Sequence, residues 1–525
     1  MTLTGELLIG AADVAATAGT MKALNPATGE VIEPEFAFGG AAEADRALRL
    51  ADEAFDSYSH TALAERAAFL DLVADKLEAV KDELAARTSL ETGLPAAQFE
   101  GEILRSAANF RKFAGVVRQG RFLHAAIDPA QPDREPAPRM DHRLQKVALG
   151  PVVIFGAGNF PVSYSVAGGD TASALAAGCP VVLKAHNAHP GASEIEGRVI
   201  REAVAEAGLH EGVFSLIRGA GNEIGETLVD HPLVRAVTFT GSEGGGMALY
   251  RRAQQRPDPI PVFTEMTSVN PVFVLPGALA ARGAEIGAGL AQRAQYNVGQ
   301  ACLKPAVLLA VDGPGFDELR EAARAEVAKT DAQTMLTPGI HAAYTGNVRR
   351  MQDNGATRIG AGAAPTAAWE AQSLVYEVTG EQLLAEPAMR EEVFGPFILL
   401  VRLTGLDQLR EAARAFRGQL SAGVHAEASD RATAAELLPI LERRTGRIVI
   451  NNFSMPQEVS YASVHTGPFP ATSDSRFTSV GMTAIERFLR PVTYQNFPDE
   501  LLPESLREAN PLHLWRLVDG DLTRD

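Results

Sequence analysis

The N-terminal part of the chain carries apolar side chains at a helical period. Leucine and valine recur at steps of three and four between Leu70 and Leu84, which predicts one amphipathic helix over this stretch. Gly93, followed two residues later by Pro95, gives a stop signal for that helix. A further helix is predicted downstream, and its apolar face consists of Ile103, Ala107, Phe110, Ala114 and Val117.

After residue 150 the pattern changes to short apolar runs that alternate with segments of helical composition. This alternation predicts βαβ units on a parallel sheet, which binds ligands beyond the carboxyl ends of its strands. A weaker α/β pattern of the same kind follows residue 302. The predicted strands are residues 152–155, 181–184, 213–217, 236–239, 307–311, 397–401 and 447–451, and the helices of the first unit are 167–177, 192–207 and 223–228.

The composition is that of a globular protein and narrows the classes of partner. Apolar residues make up 46% of the chain and charged residues 22%. A net charge of −17 argues against nucleic acid or an anionic membrane as a partner. Residues 1–20 lack a signal-peptide pattern, and no stretch of about 18 apolar residues predicts a membrane span. With two cysteines in 525 residues, the protein is expected in a reducing cytoplasm.

Cys302 lies in the stretch 296–305, which reads Tyr-Asn-Val-Gly-Gln-Ala-Cys-Leu-Lys-Pro. Glycine and glutamine before the thiol and lysine after it predict a sharp polar loop, the setting in which a nucleophilic cysteine would be placed. An ordinary buried cysteine is the alternative, and partners elsewhere in the chain must decide between the two. Cys179, between Gly178 and Pro180, is interpreted as a small buried filler.

Loops after the predicted strands carry the other candidate groups. Residues 156–161 contain only the Gly-x-Gly part of the dinucleotide fingerprint, which is a weak signal on its own. Residues 240–246, Thr-Gly-Ser-Glu-Gly-Gly-Gly, would let the backbone approach a pyrophosphate, although a flexible glycine loop would look the same. Glu265 closes an apolar run, either as a surface cap or as a partly buried carboxyl suited to general-base work.

Together these pieces resemble the aldehyde dehydrogenase superfamily across essentially the whole chain. The resemblance implies an α/β fold with a Rossmann-type parallel-sheet cofactor domain (1–135 and 150–266) and an α/β catalytic domain that carries the nucleophilic cysteine (267–450). It also implies a small β oligomerisation arm with a C-terminal tail (136–149 and 485–525). The motifs behind it are Asn159 in Asn-Phe-Pro, Lys184 ending Val-Val-Leu-Lys, Phe239-Thr240-Gly241-Ser242, Glu265, Gly299-Gln300-x-Cys302 and Glu392-x-Phe394-Gly395-Pro396.

A closer resemblance is to the branch typified by 2-oxoglutarate semialdehyde (2,5-dioxovalerate) dehydrogenases and NADP-linked aldehyde dehydrogenases. The chain departs from this branch at Ala301 and Leu303, which flank the thiol, and at residues 451–459. Both places are expected to line the aldehyde pocket, so the substrate stays open between such a semialdehyde and another aliphatic aldehyde. The residues that carry the resemblance are 167–175, 184–186, 189–191, 266–271, 465–472, 478–481 and 487–491.

The resemblance implies a covalent mechanism for oxidising an aldehyde to a carboxylate. Cys302 attacks the aldehyde as a thiolate, and the Asn159 amide and the Cys302 backbone N–H stabilise the oxyanion. After hydride transfer to the nicotinamide, Glu265 activates water to hydrolyse the thioester. Two alternatives stay open: an acyl-CoA-forming or reductive member, against which Glu265 speaks, and a catalytically silent structural homologue that binds the cofactor.

The resemblance also assigns a cofactor site and implies a homo-oligomer, either a dimer or a tetramer. NAD-preferring members often carry a glutamate where Asn187 stands, so a neutral Asn187 favours NADP, with NAD as the alternative. No metal is expected. The assigned residues are Lys184 at the adenine ribose, Gly241 and Ser242 at the pyrophosphate, Glu392 at the nicotinamide ribose and Phe394 near the nicotinamide.

A distal carboxylate on the substrate would need a cationic anchor. Arg105, Arg111 and Arg293 are candidates by their placement in the sequence, with solvated helix-surface charge as the alternative reading of the first two. His465 is expected near the mouth of the pocket, or else as a packing histidine.

Overall fold

The computed structural model describes residues 2–15 and 17–524. Within these ranges the chain forms fourteen α-helices, mostly between the strands of two large sheets. The helices are α1 (Ala41–Ser59), α2 (Leu63–Ala79), α3 (Lys81–Thr92), α4 (Ala96–Gln119), α5 (Gly169–Ala177), α6 (Pro190–Glu206), α7 (Glu223–Asp230), α8 (Glu243–Gln254), α9 (Pro276–Ala294), α10 (Phe316–Val327), α11 (Pro338–Asp353), α12 (Gly380–Ala385), α13 (Leu406–Ala415) and α14 (Arg431–Glu442).

The strands of the described residues form two seven-stranded sheets, a five-stranded sheet and two small hairpin-like pairs. They are β1 (Leu7–Ile9), β2 (Ala12–Val14), β3 (Thr20–Leu24), β4 (Val31–Ala37), β5 (Ala126–Asp128), β6 (His142–Ala148), β7 (Val152–Phe155), β8 (Val181–Lys184), β9 (Phe214–Ile217), β10 (Ala236–Thr240), β11 (Val262–Glu265), β12 (Val272–Val274), β13 (Val307–Val311), β14 (Gln333–Thr334), β15 (Thr357–Ala361), β16 (Glu370–Ala371), β17 (Leu374–Thr379), β18 (Phe397–Leu403), β19 (Gln419–His425), β20 (Thr445–Ile450), β21 (Leu489–Gln495), β22 (Arg516–Val518) and β23 (Asp521–Thr523).

The first sheet has the strand order β11-β10-β7-β8-β9-β1-β2. Strands β7 to β11 are mutually parallel, and β1 and β2 extend the edge in antiparallel fashion. Helices α2, α4, α5 and α6 cover one face of the sheet, and α1, α7 and α8 cover the other. Because both faces are buried, these strands read as nearly continuous apolar runs, as the sequence pattern predicted.

The second sheet has the order β15-β17-β18-β13-β12-β19-β20, and every neighbouring pair except β15–β17 is parallel. Helices α9 and α10 pack on one face, and α11, α13 and α14 pack on the other. The chain passes between the two sheets at residues 266–271. The predicted fold, a parallel-sheet α/β unit followed by a second α/β unit, is confirmed.

A separate five-stranded sheet has the order β21-β6-β5-β22-β23. It joins residues near position 142 to the C-terminal segment through the antiparallel pair β6–β21. The sheet also includes β5, which lies upstream of the predicted arm. Several of its apolar side chains face solvent in the single chain: Leu517 is 45% exposed and Leu522 is 69% exposed.

The prediction of one helix from the apolar stripe of leucine and valine between Leu70 and Leu84 is wrong, because this stretch forms two helices. Helix α2 ends at Ala79 and α3 begins at Lys81, and the backbone of Val80 between them (φ −100°, ψ 11°) leaves the helical region. The stripe survives the break, since Leu77 and Leu84 are both fully buried. Apolar periodicity therefore reports a shared buried face but not a one-residue interruption. No helix in the described part of the chain is long and apolar enough to span a bilayer.

Candidate active site

The parallel strands of the first sheet bring the predicted strand-end residues to one edge. Lys184 is the last residue of β8 and Glu265 is the last residue of β11. Asn159 follows β7 and Ser242 follows β10. Strand register aligns these ends, because Glu265 pairs with the last residue of β10 and Lys184 pairs with the last residue of β7. The carboxyl edge of the sheet is thus the floor of one cleft.

The thiol-bearing loop has an unusual backbone. Asn297, Val298 and Gly299 adopt φ values of 54°, 57° and 65°, in the left-handed region. A β-branched residue such as Val298 rarely adopts this conformation, which costs about 1–3 kcal/mol. At Gly299 an added Cβ would lie 2.2 Å from the carbonyl carbon of Gly395, so only glycine fits there. The loop is held in a strained shape, as is common at functional sites.

Side-chain carboxamides hold this loop in place. Asn297 Nδ2 donates to the carbonyls of Asn159 (2.9 Å) and Gln300 (3.1 Å), and Asn159 Nδ2 donates to the same Gln300 carbonyl (3.1 Å). On the other side, Asn270 Nδ2 donates to the carbonyl of Cys302 (2.8 Å). These bonds tie the thiol loop to the loop after β7 and to the crossing between the two sheets. Asn297 and Asn270 were not predicted from the sequence.

Cys302, Glu265 and His465 form a compact cluster. The thiol sulfur, a carboxylate oxygen and a ring nitrogen all lie within 4.8 Å of one another. His465 Nε2 is 2.9 Å from Glu265 Oε2, and both residues are buried. Glu265 Oε1 and both ring nitrogens of His465 have no hydrogen-bond partner among the described residues. Burial, followed by the charges of Glu265 and Glu392, raises the pKa of the Cys302 thiol well above its ordinary value. The spacing of the three groups would also suit a metal ion, which the sequence did not predict.

Apolar side chains surround Cys302 on the side of Phe160, and the polar ring of Tyr164 lies next to them. Cys302 and Phe160 pack on a small cluster that includes Ala301, Leu303 and Met455. The Phe160 ring meets the Tyr164 ring edge to face at 5.3 Å. Tyr164 also lines a small cleft beside α4, and the other walls of this cleft include Arg105, Asn109, Phe113, Val459 and Val480.

Lys184 and Asn187 lie side by side at the end of β8. Lys184 Nζ donates to Asn187 Oδ1 (3.3 Å), and Asn187 Nδ2 donates to the carbonyl of Gly219 (3.0 Å). Burial lowers the pKa of Lys184 to about 8. Among the described residues no carboxylate lies within 4.0 Å of the Lys184 ammonium. An anionic ligand would supply the missing counter-charge.

Ser242 caps the N-terminus of α8. Its Oγ accepts the N–H of Gly245 at 3.2 Å, and the preceding Gly241 donates its N–H to the carbonyl of Glu265 at 3.0 Å. A Cβ at Gly241 would lie 2.6 Å from the Phe239 ring, so any other residue there would displace that ring. The first helical turn leaves N–H groups at the cleft, which is the usual setting for a phosphate.

Glu392 is tied to the thiol loop from the other side of the cleft. Thr267 Oγ1 donates to Glu392 Oε2 at 2.8 Å. Lys304, two residues after the thiol, donates to the carbonyls of Val393 (2.5 Å) and Gly395 (2.6 Å). Burial raises the pKa of Glu392 and lowers that of Lys304, and each charge partly offsets this effect on the other. Phe394 is half-exposed, and the charge of Glu392 acts on the Cys302 thiol.

Two of the predicted substrate residues are not brought to the thiol, and a third lies elsewhere than expected. Arg111 forms ion pairs with Glu78 and with Asp75, the latter at 2.7 Å. Arg293 is exposed on α9. Both predictions are corrected: helical rotation turns these side chains to the surface. His465 is not at the pocket mouth but 1% exposed beside Glu265.

Comparisons with known proteins show which family and which solved structures the chain resembles. The model of the aldehyde dehydrogenase family matches residues 14–467. An α-ketoglutaric semialdehyde dehydrogenase 2 of Azospirillum brasilense is 53% identical over 99% of this chain and 99% of its own length. An α-ketoglutaric semialdehyde dehydrogenase of Acinetobacter baylyi is 42% identical with the same coverage. In fold, the betaine aldehyde dehydrogenase of Staphylococcus aureus solved with NAD+ covers 95% of this chain and 98% of its own, with a TM-score of 0.80 at 21% identity.

Proposed function

Because the chain belongs to the aldehyde dehydrogenase family, we propose that it oxidises 2-oxoglutarate semialdehyde to 2-oxoglutarate. Membership of the family makes the protein an oxidoreductase that acts on aldehydes with NAD or NADP. The observation that supports this substrate is the similarity, at 53% and 42% identity over 99% of the chain, to two relatives that are named for this semialdehyde. Another aliphatic aldehyde is the second candidate, because Ala301 and Leu303 depart from the pattern of that branch around the thiol.

We assign the chemistry to Cys302, Asn159 and Glu265. Cys302 loses its proton and adds to the aldehyde carbon, and the Asn159 amide and the Cys302 N–H donate to the resulting oxyanion. A nicotinamide nucleotide in the cleft supplies the hydride acceptor. Once the hydride has left, the acyl group stays on sulfur as a thioester. Glu265 takes a proton from water, the resulting hydroxide attacks the thioester, and the carboxylate leaves with regeneration of the thiol.

His465 belongs to this step by its contact with Glu265. The pair is buried and in close contact at 2.9 Å, so the ring limits the directions in which the carboxylate can point. We therefore propose that His465 positions Glu265 rather than the substrate. No metal is needed in this scheme, because Glu265 activates the water.

We propose that the cofactor is NADP, with NAD as the alternative. In the described part of the chain no carboxylate lies within 4.0 Å of the Lys184 ammonium, and the neighbouring Asn187 is neutral, which suits a ribose that carries a 2′-phosphate. The N-terminus of α8 at Ser242 suits the pyrophosphate, and Glu392 and Phe394 suit the nicotinamide half. Equilibrium titration with each nucleotide tests this, and a lower Kd for NAD would contradict it.

The division into domains and the assembly are also proposals. We retain a cofactor domain (1–135 and 150–266), a catalytic domain (267–450) and an arm with a tail (136–149 and 485–525). Exposed apolar residues on the arm sheet, such as Leu517 and Leu522, support a homo-oligomer of two or four chains. Light scattering of the purified protein tests the assembly, and a monomer would contradict it. The two free cysteines support a cytoplasmic location.

A steady-state panel tests the proposed function. It compares 2-oxoglutarate semialdehyde, succinic semialdehyde, glutaric semialdehyde and pentanal, each with NAD and with NADP. We expect the highest kcat/KM for 2-oxoglutarate semialdehyde and no NAD(P)H formation by Cys302→Ala. Cys179→Ala is the matched control, because Cys179 is fully buried in the core away from the cleft, and it is expected to keep its activity. Turnover by Cys302→Ala would defeat the proposal.

A further inference from the structure

Two arginines near the thiol have no carboxylate partner. Among the described residues no Asp or Glu oxygen lies within 4.0 Å of the guanidinium of Arg105 on α4 or of Arg447 on β20. Arg105 Nη2 donates to the Tyr164 hydroxyl (3.2 Å) and to the Gln457 carbonyl (3.3 Å). Arg447 Nη2 donates to the Ser454 carbonyl, and its Nε is buried without an acceptor in the described chain.

One loop connects both arginines to the thiol. The carbonyls that accept from Arg105 and Arg447 both belong to residues 451–459. From the same loop, Met455 packs with Ala301 and Leu303, the two neighbours of Cys302 in the chain. The guanidinium groups therefore lie on the substrate side of the cleft, at the loop where this sequence departs from its branch.

The acidic side chains around this loop are engaged elsewhere. Glu458 pairs with Lys112 at 2.6 Å. Glu102 accepts the backbone N–H groups of Val162 and Ser163, each at 2.9 Å. The charge of Arg105 acts on both carboxylates, but neither carboxylate lies within 4.0 Å of the guanidinium of Arg105 or Arg447.

The electrostatic surroundings of Arg447 also place it near the thiol and without a carboxylate partner among the described residues. Burial lowers the pKa of Arg447, and the acidic groups that act on it in the opposite direction are Cys302 and Tyr164. Tyr164 is also the ring beneath Arg105, whose guanidinium carbon is 5.9 Å from the ring centroid. Partial burial of a cation without an anionic partner costs desolvation free energy, and binding of an anion beside it offsets part of that free energy.

We propose that Arg447 and Arg105 together bind the carboxylate at the end of the aldehyde substrate remote from Cys302. This inference rests on the proposed function and extends it to named residues. A guanidinium offers parallel N–H donors that match a carboxylate, and Tyr164 between the two arginines can donate its hydroxyl proton to the same group. The pair thereby selects aldehydes that end in a carboxylate and holds the aldehyde carbon at the thiol.

The test compares two five-carbon substrates that differ in one end group. Glutaric semialdehyde carries the distal carboxylate and pentanal does not. For wild type, Arg447→Met, Arg447→Lys and Arg105→Met, kcat/KM is measured for both, with the cofactor saturating. We expect the ratio of kcat/KM for glutaric semialdehyde to that for pentanal to fall about a hundredfold in Arg447→Met, mainly through KM, because truncating one member of a buried charge pair leaves the other charge unpaired. Arg447→Lys is expected to recover part of the ratio.

Arg293→Met is the matched control, since Arg293 is an exposed arginine on α9, and it is expected to leave both substrates unaffected. Thermal unfolding of each variant reports separately on folding. A wild-type enzyme that prefers pentanal to every semialdehyde would defeat the proposed function. A wild-type preference for the semialdehydes that survives intact in Arg447→Met and Arg105→Met would instead overturn this inference alone. An equal loss for both substrates in Arg447→Met would assign Arg447 a purely structural role and would also overturn it.

Discussion

Replacement of Glu265 by Gln has a calculable effect on the neighbouring thiol. The negative charge of Glu265 disfavours the thiolate of Cys302 and contributes to the raised pKa of this thiol. Glutamine keeps nearly the same volume and removes the charge. The pKa of Cys302 is therefore expected to fall, and the thiolate fraction at neutral pH is expected to rise.

The size of this effect follows from the separation of the two groups. Two like unit charges no more than 4.8 Å apart, at an effective dielectric constant of about 20, repel each other by about 3 kcal/mol. Since about 1.4 kcal/mol is a factor of ten, the thiolate fraction would rise roughly a hundredfold. A less basic thiolate is also a weaker nucleophile, so the net rate of its reaction rises by only about tenfold.

Carbamidomethylation by iodoacetamide, a neutral reagent, measures this rate. The modified Cys302 peptide is followed by mass spectrometry at pH 7 without nucleotide, and Cys179 serves as an unreactive internal reference because burial raises its pKa to about 11. Glu411→Gln, an exposed carboxylate on α13, is the matched control and is expected to react at the wild-type rate. Alkylation of Glu265→Gln at or below the wild-type rate would refute the electrostatic account of the thiol.

Other predictions concern the cofactor, the oxyanion, the loop and metal removal. Because burial lowers the pKa of Lys184 to about 8, its positive charge is lost as the pH rises through that value. The Kd for NADP should therefore rise about tenfold between pH 7 and pH 9, and it should rise more than the Kd for NAD. Identical pH profiles of Kd for the two nucleotides would contradict this. Asn159→Ala should lower kcat/KM by about 10²–10³ without slowing alkylation of the thiol. Asn297→Ala removes the donor to the Gln300 carbonyl and should lower Tm by roughly a few degrees in calorimetry. Dialysis against EDTA should leave activity unchanged, and a loss restored by zinc would show that the cluster holds a catalytic metal.

The strand-end residues were accessible from the sequence because a simple rule positions them. Short apolar runs separated by helical segments specify a parallel sheet, and a parallel sheet collects its loops at one edge. Lys184, Ser242 and Glu265 could therefore be assigned to one cleft from their positions in the pattern. The thiol loop and Glu392 could be assigned to the same cleft from the family motifs alone, before any interatomic distance was known.

The residues that could not be predicted depend on contacts between distant or aperiodic segments. Arg105 and Arg111 sit on the same helix, but six residues correspond to about 240° of rotation about its axis, so only one of them faces the cleft. Arg447 lies on a predicted strand, but the strand pattern does not show that its side chain meets the loop of residues 451–459. His465 reaches the thiol from a segment without regular periodicity. The left-handed backbone of Val298 contradicts its local preference and is imposed by the surrounding hydrogen bonds.

The central claim is that Cys302 carries the acyl group and that Glu265 releases it. Intact-mass measurement of Glu265→Gln, mixed with 2-oxoglutarate semialdehyde and NADP and quenched in acid, tests both parts together. The account predicts a burst of about one NADPH per chain, followed by a slow steady state, and one acyl adduct that maps to Cys302 and is absent in Cys302→Ala. Rapid linear turnover by Glu265→Gln with unmodified protein, or an adduct on another residue, would contradict it.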